Sequence, residues 1–255
     1  MKHIKLFETV AAFETARATL DLPNVSLIEA TNVLNYLPYV EPVTPVVQHD
    51  YVEIGGIKWA TMNVGASSIT DYGLYFQWGD TQGYTAAQCG SGEGKKYFGW
   101  DDYKYGNGTS SPGATGMTKY NSTDGKTMLD ASDDAVVAAC GGNWRMPTTA
   151  EFQALGNAVT TAWTNDYQGS GIKGLVCTDK TDSAKTLFFP AAGYANDGSV
   201  DDVGDIGDYW SSSLLSGDAS NACVLWFFSH RVYWGSGSDR YFGYLVRGVL
   251  DDSNS

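Results

Sequence analysis

Histidine is scarce in this 255-residue chain, which has only His3, His49 and His230. Cysteine is also sparse: Cys89, Cys140, Cys177 and Cys223 lie far apart, and no two form a Cys-x-x-Cys pair. Zinc sites of the usual Cys/His spacing are therefore excluded, and no histidine stands in a recognisable hydrolytic triad context. Free buried thiols are the default expectation for the cysteines, with a disulfide left open. Basic side chains are in the minority, with 16 Lys and Arg against 29 Asp and Glu, for a net charge of −13 and no basic cluster. Such a mean field repels a phosphate backbone, so nucleic acid is excluded as the main partner and the acidity is assigned to solubility. The chain has no run of roughly 18 apolar residues, so no membrane insertion is expected. The opening Met-Lys-His-Ile-Lys-Leu-Phe-Glu is unlike a secretory leader, because Glu8, Glu14 and Arg17 interrupt any apolar stretch.

Glycine and aromatic residues are plentiful: 30 Gly, 8 Trp, 16 Tyr and 10 Phe, with only 18% charged residues. That composition predicts many turns, short strands and long ordered loops rather than a helical bundle. Two parts are expected. Residues 1–45 form a docking or oligomerisation segment, or equally a strand pair packed on the main domain. Within them a short amphipathic helix is predicted over Glu8–Thr19 and a small hairpin around Ala30-Thr31. An extended stretch carrying Pro38, Pro42 and Pro45 follows. Residues 46–255 form the main domain.

In the main domain, Tyr51–Ala60 predicts two strands about a Gly-Gly turn, and residues 83–127 predict a long insertion ordered by its aromatics. Ser132 and Asp133 are expected to cap a short helix that Gly141-Gly142 ends. Thr148-Thr-Ala-Glu151 is a capping box for a second helix, with Gly156 as its stop. Leu187–Pro190, Tyr209–Ser213, Ala222–Phe228 and Gly243–Val249 complete a strand-rich final third. The class is α+β, with short helices around mixed, mostly antiparallel sheets.

Several stretches then become recognisable: Ile57–Ala66, Asp71-Tyr-Gly with Trp78-Gly-Asp, Gly141–Phe152, Phe189-Pro-Ala-Ala-Gly, Tyr209-Trp-Ser-Ser-Ser and Gly243-Tyr-Leu-Val-Arg. In this order they resemble the formylglycine-generating-enzyme-like branch of the C-type lectin fold, as used by Bacteroidales and Fibrobacter paralogous surface domains. The segment from Asn221 to Val249 is similar to the variable region of diversity-generating-retroelement target proteins. In that family, adenines copied from a template are randomised, largely at Asn codons. Such codons never yield Trp, Met, Gln, Lys or Glu, and residues 222–247 contain none of the last four. Trp226 and Trp234 depart from the rule and read as scaffold, or as products of other codons. Phe7–Phe13 and Leu22–Leu27 resemble leader segments of virion proteins from gut Bacteroidales phages.

The resemblance implies a non-enzymatic receptor- or ligand-binding protein, located in a virion or in the cytoplasm before release. Its partner would be a bacterial surface protein or glycan, and no cofactor or metal is expected. The domain would be monomeric, or oligomeric through its N-terminal segment. The fixed frame would comprise Leu225, Phe227, Ser229, Val232, Arg240, Gly243, Val246 and Arg247, with Leu225, Phe227, Val232 and Val246 buried and each stabilising by roughly 1.5–3 kcal/mol. The two arginines are expected to bond loop carbonyls or buried acids. The candidate binding residues are Cys223, Val224, Trp226, Phe228, His230, Arg231, Tyr233, Trp234, Gly235, Ser236, Gly237, Ser238, Asp239, Phe242, Tyr244 and Leu245. Rigid aromatics among small polar residues suit a paratope-like surface.

Rival readings fare less well. Oxidation of the formylglycine-generating type needs a close pair of cysteines, and Cys223 is the only one after Cys177. The Glu-Pro-Asn and Trp-Asn-Asp motifs of calcium-dependent sugar binding are missing; Glu41-Pro42-Val43 and Trp163-Thr-Asn165-Asp166 only approach them. The run Asp197, Asp201, Asp202, Asp205 and Asp208 reads as a solvated loop rather than a calcium site. An undiversified adhesin of the same fold stays open.

Overall fold

The computed structural model describes the backbone of Glu29–Ala30 and Val33–Leu34 and the whole of residues 50–251. The chain divides into two units, Met1–Val46 and Val47–Ser255. In the first, β1 (Glu29–Ala30) pairs antiparallel with β2 (Val33–Leu34), with Ala30 opposite Val33. The expected helix over Glu8–Thr19 and the proline-bearing stretch lie outside the described residues.

The second unit is mixed α+β, with mostly antiparallel sheets and few helices. β3 (Tyr51–Ile54) and β4 (Ile57–Asn63) form the expected hairpin about Gly55-Gly56, both at positive φ. β4 continues into a four-stranded sheet through β14 (Arg247–Leu250) and β5 (Trp144–Arg145). β6 (Val159–Thr164), β7 (Gly174–Asp179) and β8 (Thr186–Pro190) form a second sheet, and β9 (Tyr194–Asn196) pairs with β10 (Ser199–Asp201). β11 (Ile206–Leu214), β12 (Asn221–Phe228) and β13 (Arg231–Asp239) make a third three-stranded antiparallel sheet. The Gly243–Val246 segment runs beside β11 through a parallel bridge between Tyr209 and Leu245.

Two helices flank the sheets. α1 (Ala135–Cys140) is capped by Asp134, whose carboxylate accepts from the amides of Val136 and Val137 at 2.8 and 3.1 Å, and Gly141 at φ 64° ends it. Its cap is therefore not the expected Ser132 or Asp133. Those two residues belong to a preceding 3-10 turn, and Asp133 is committed to Lys104, Lys119 and Tyr120. In α2 (Thr149–Ala158) the capping box forms as expected: Thr148 Oγ1 accepts from the Glu151 amide and Glu151 accepts from the Thr148 amide at 2.7 Å. Gly156 does not stop α2. It lies within the helix because the Trp234 indole rests on it; a Cβ there would stand 2.7 Å from the ring.

The core has two parts. One gathers Trp59, Phe152, Phe189, Tyr209, Leu225, Phe227 and Leu245; the other gathers Trp78, Tyr120, Trp144, Trp210, Val224, Tyr244 and Val246. Two fully buried arginines tie these parts to distant backbone. Arg247 donates to Asn63 Oδ1 and to the carbonyls of Ala60, Thr61 and Phe188 at 2.8–3.0 Å. Burial pulls its guanidinium down to about 10, still charged at neutral pH. Arg240 donates to the Tyr103 hydroxyl and to the carbonyls of Lys119, Tyr120 and Ala219, and its guanidinium lies 4.6 Å from the centre of the Trp78 ring. Both arginines bond carbonyls, as expected, and neither has a carboxylate partner among the described residues. Arg240 thereby fastens the insertion over 83–127, where Tyr103, Tyr105 and Tyr120 meet edge to face.

Two predictions follow from this packing. The Phe227 ring lies on Gly207, where an added Cβ would sit 2.1 Å from it, so Gly207→Ala should lose about 1–3 kcal/mol in urea unfolding. An unchanged midpoint would contradict the packing. Burial pushes the Asp133 carboxyl up, but hydrogen bonds from Lys119, Tyr105, Tyr120 and Lys104 outweigh it and hold the group well below the carboxylate range. A depressed folded pKa contributes stability above the unfolded value of about 3.9 and loses it as pH falls further. Asp133→Asn should therefore be clearly less stable than wild type at pH 7 and approach it at about pH 2–3. A pH-independent gap would contradict this.

Candidate binding surface

Period two along β12 separates its side chains. Cys223, Leu225 and Phe227 face α2 and the first core, while Ala222, Val224, Trp226 and Phe228 take the other face. Phe228 pairs with Arg231 across the Ser229-His230 turn, and Trp226 pairs with Tyr233. β13 carries a bulge: Leu225 opposes Trp234 but Val224 opposes Ser236, leaving Gly235 as the extra residue at φ 148°. A Cβ at Gly235 would lie 2.8 Å from Thr149 Cγ2, so only glycine lets the strand approach α2 here. The bulge keeps Tyr233, Ser236 and Ser238 together on the outer face.

At the hairpin tip that face is open. Trp226 stacks on Tyr233 with centroids 4.8 Å apart and 14° between planes, and Phe228 meets Trp226 at 5.2 Å and the His230 ring edge-on at 4.5 Å. Arg231 donates to the Tyr233 hydroxyl at 2.9 Å and lies 5.5 Å from its ring centre. Trp226, Phe228 and Tyr233 are half-buried; His230 and Arg231 are exposed. A cleft of about 480 Å³ opens beside them, lined by Trp163, Asn165, Lys173, Asp205, Ile206, Trp226, Phe228 and Ser229. A neighbouring one of about 360 Å³ shares Trp163, Phe228 and Ser229 and adds Thr161, Leu175, His230, Arg231, Val232 and Trp234. Trp163, whose indole donates to Asn165 Oδ1 at 3.0 Å, thus stands between the two.

Toward the other end the outer face is closed, and this corrects four candidates. Val224 is buried in the second core with Trp210 and Tyr244. Tyr244 lies against Trp210 at 4.5 Å and shares a 2.6 Å hydrogen bond with Ser238, so it too is buried. Leu245 points the opposite way into the first core and is fully covered. Cys223 faces α2's side of the sheet, 3.7 Å from the Leu214 carbonyl, and is buried.

The remaining candidates divide. Ser236, Ser238, Asp239 and Phe242 are half-buried, with Phe242 stacked on Tyr244 and edge-on to Tyr194. Trp234 and Gly235 pack toward α2, and Gly237 is exposed beside Leu215. Of the expected frame, Leu225, Phe227, Arg240, Gly243, Val246 and Arg247 are buried. Val232, expected to be buried, is only half-buried, which corrects its placement, and Ser229 is exposed at the turn.

Sequence reasoning missed Trp163, Asn165, Lys173, Asp205 and Ile206. The one available signal is the Trp163-Thr-Asn165-Asp166 stretch, which approaches a calcium-lectin motif. It also took Asp208 for part of a solvated loop, whereas Asp208 is buried and only Asp197, Asp202 and Asp205 of that run are exposed. Among the described residues, no three His, Cys, Asp or Glu side chains gather as a metal-binding group, and no helix is long and apolar enough to cross a membrane. All four cysteines are free, and burial pushes the Cys89 and Cys140 thiols up to about 11. No family model, curated protein or solved structure matches the chain.

This geometry separates two kinds of substitution. Replacing Trp226, Phe228 and Tyr233 together by Ser should leave the far-ultraviolet spectrum unchanged and cost less than Phe227→Ala alone, which should lose about 3–5 kcal/mol. A triple variant less stable than Phe227→Ala would show that the outer aromatics belong to the core.

Proposed function

We propose that this chain is a non-enzymatic binding protein of C-type-lectin-like fold, which presents the tip of the β12–β13 hairpin to a receptor or ligand on a bacterial surface. One observation carries the reading. Trp226, Phe228, Tyr233, His230 and Arg231 form a continuous, solvent-facing aromatic and cationic patch, while Leu225 and Phe227, interleaved with them on the same strand, are fully buried. Half-exposed aromatics beside a cleft give contact area at small entropic cost, as in binding hot spots. The scaffold reading is supported by where its motifs fall. Trp59, Trp144, Phe189, Tyr209 and Arg247, one from each of five carrying stretches, are all buried framework residues.

Catalysis by thiol oxidation is disfavoured by the chemistry of the thiols themselves. Cys89 and Cys140 hold little thiolate at neutral pH, and Cys177 and Cys223 are buried. In the proposed reading, residues 221–249 are the diversified segment, but its variable positions shrink to those facing outward, Phe228, His230, Arg231, Tyr233, Ser236, Gly237 and Ser238, with Phe242 at the margin and Trp226 beside them outside the codon rule. Display on a virion accords with the leader-like N-terminal stretch. Binding by an undiversified adhesin would use the same patch.

The DNA flanking the coding segment for 221–249 separates these two. The diversified reading predicts a nearby near-copy that differs from it at adenines, together with a reverse-transcriptase gene. Mismatches spread over all four bases, or no copy at all, would leave the adhesin.

A further inference from the structure

Asp208 is the one carboxylate that β11 places on the outer face. It pairs in register with Trp226, which pairs with Tyr233. On its other side the Leu245 amide donates to the Asp208 carbonyl at 3.1 Å, which sets Tyr244 alongside it. Tyr233, Trp226, Asp208 and Tyr244 therefore form one row across four adjacent chain segments. Directly opposed side chains on one face of a sheet stand about 4.5–5.5 Å apart at Cβ. Asp208 is only 4% exposed, and its carboxylate oxygens, which take no hydrogen bond from the described residues, are not among the sealed, unpartnered atoms and so keep a narrow contact with solvent. The nearest hydroxyl in the row, that of Tyr244, shares a hydrogen bond with Ser238.

Aromatic groups stand on both flanks. Trp226 and Tyr233 are stacked on one side; on the other, Tyr194, Phe242 and Tyr244 form a cluster with centroids 5.6–6.4 Å apart. A buried carboxylate without a donor is unfavourable as it stands and gains strongly from a counter-charge. Ring faces beside it add cation–π attraction. Aromatic walls and a single carboxylate select an organic cation; a hard metal ion would call for several oxygens.

We propose that Asp208, between Trp226 and the Tyr194–Phe242–Tyr244 cluster, receives an ammonium or guanidinium group of the ligand. The proposal rests on the outer face being the binding surface and names the chemistry that this surface takes. Burial pushes the Asp208 carboxyl well above the usual carboxylate range, and Asp202 adds to the shift, so a bound cation draws the group toward its charged form with release of a proton. Burial likewise raises Tyr194, with Asp202, Asp201 and Asp208 contributing, so that its hydroxyl stays neutral. Asp208 lies outside residues 221–249. The site would thus pair a constant charge and the constant Tyr194 ring with a margin at Phe242 that varies, and successive variants would keep a preference for cationic groups.

The test titrates the full chain with n-butylammonium and, separately, with n-butanol, following the Trp226 indole by NMR. The wild type should bind butylammonium about tenfold more tightly than butanol. Asp208→Asn, equal in size, should lose that preference while melting no lower than wild type. Asp202→Asn, at an exposed position, should change it by less than about threefold. N-acetyl-lysine amide and N-acetyl-arginine amide separate a protein side chain from a free amine as the source: tighter binding of either amide assigns a protein side chain, and tighter binding of butylammonium assigns a free amine. Equal binding of butylammonium and butanol by wild type, an unchanged preference in Asp208→Asn, or displacement of butylammonium by equimolar calcium would each overturn the proposal. If the triple Ser variant of the outer aromatics folds but the wild type does not bind butylammonium, the cation site falls and the display surface stands. If that variant fails to fold, the display reading itself falls.

Discussion

The tip of the Phe227 ring lies against the backbone of Gly207, and most of what is particular to this molecule follows from that contact. It leaves no room for a side chain at Gly207 and fixes Phe227 toward the first core, against Tyr209 and Phe189. With Phe227 inward, the strand's own period sends Trp226 and Phe228 outward, and register carries the rule to the neighbours. Asp208 on β11 and Tyr233 on β13 must then share the outer face with Trp226. A slip of one residue would bury the patch and expose the core, so the register is held by the whole weight of the apolar interior.

Two buried guanidinium groups hold the rest of the frame, with no carboxylate partner among the described residues. Arg247 joins β14 to β4 and β8 by bonding their carbonyls, and Arg240 joins the far end of β13 to the 83–127 insertion through two carbonyls and a tyrosine hydroxyl, and to the β11–β12 connection through the Ala219 carbonyl. A planar, charged fork suits this work, because its Nη groups reach backbone carbonyls while each Nε donates to a side-chain oxygen, Asn63 Oδ1 or the Tyr103 hydroxyl. The consequence for function is a division of labour along one strand pair. Stability is concentrated in inward side chains and arginine clamps, so the outward side chains at the tip are free to serve recognition. Asp208 is the exception: an outward group that the frame supplies.

Much of the fold was legible in the sequence where a local rule acts alone. The Gly55-Gly56 hairpin, the Thr148–Glu151 capping box and the alternation of β12 each depend on residues a few positions apart, and each forms as read. The boundaries that moved did so for tertiary reasons. α2 runs through Gly156 because Trp234 needs that bare backbone, and Asp133 gives up the cap of α1 because two lysines and a tyrosine claim it.

The site was less legible. Alternation assigns a side chain to a face but does not say what covers that face, so Val224 and Tyr244 were read as open when Trp210 and their own contact roof them over. Leu245 was misplaced because the strand it belongs to is set by a parallel bridge to Tyr209, a pairing between distant segments. Trp163 and Lys173 reach the cleft from β6 and the approach to β7, and no spacing in the sequence links them to residue 226.

The central claim is that the tip of the β12–β13 hairpin offers its aromatics to solvent while the interleaved ones are sealed. Photochemically induced nuclear polarisation of the native chain reads this directly, because a soluble flavin dye polarises only aromatic rings it can touch. The account predicts polarised Trp226, Tyr233 and His230 resonances, with Trp59, Trp78, Trp210 and Tyr209 silent. Silent Trp226 and Tyr233 resonances in the folded chain would contradict it.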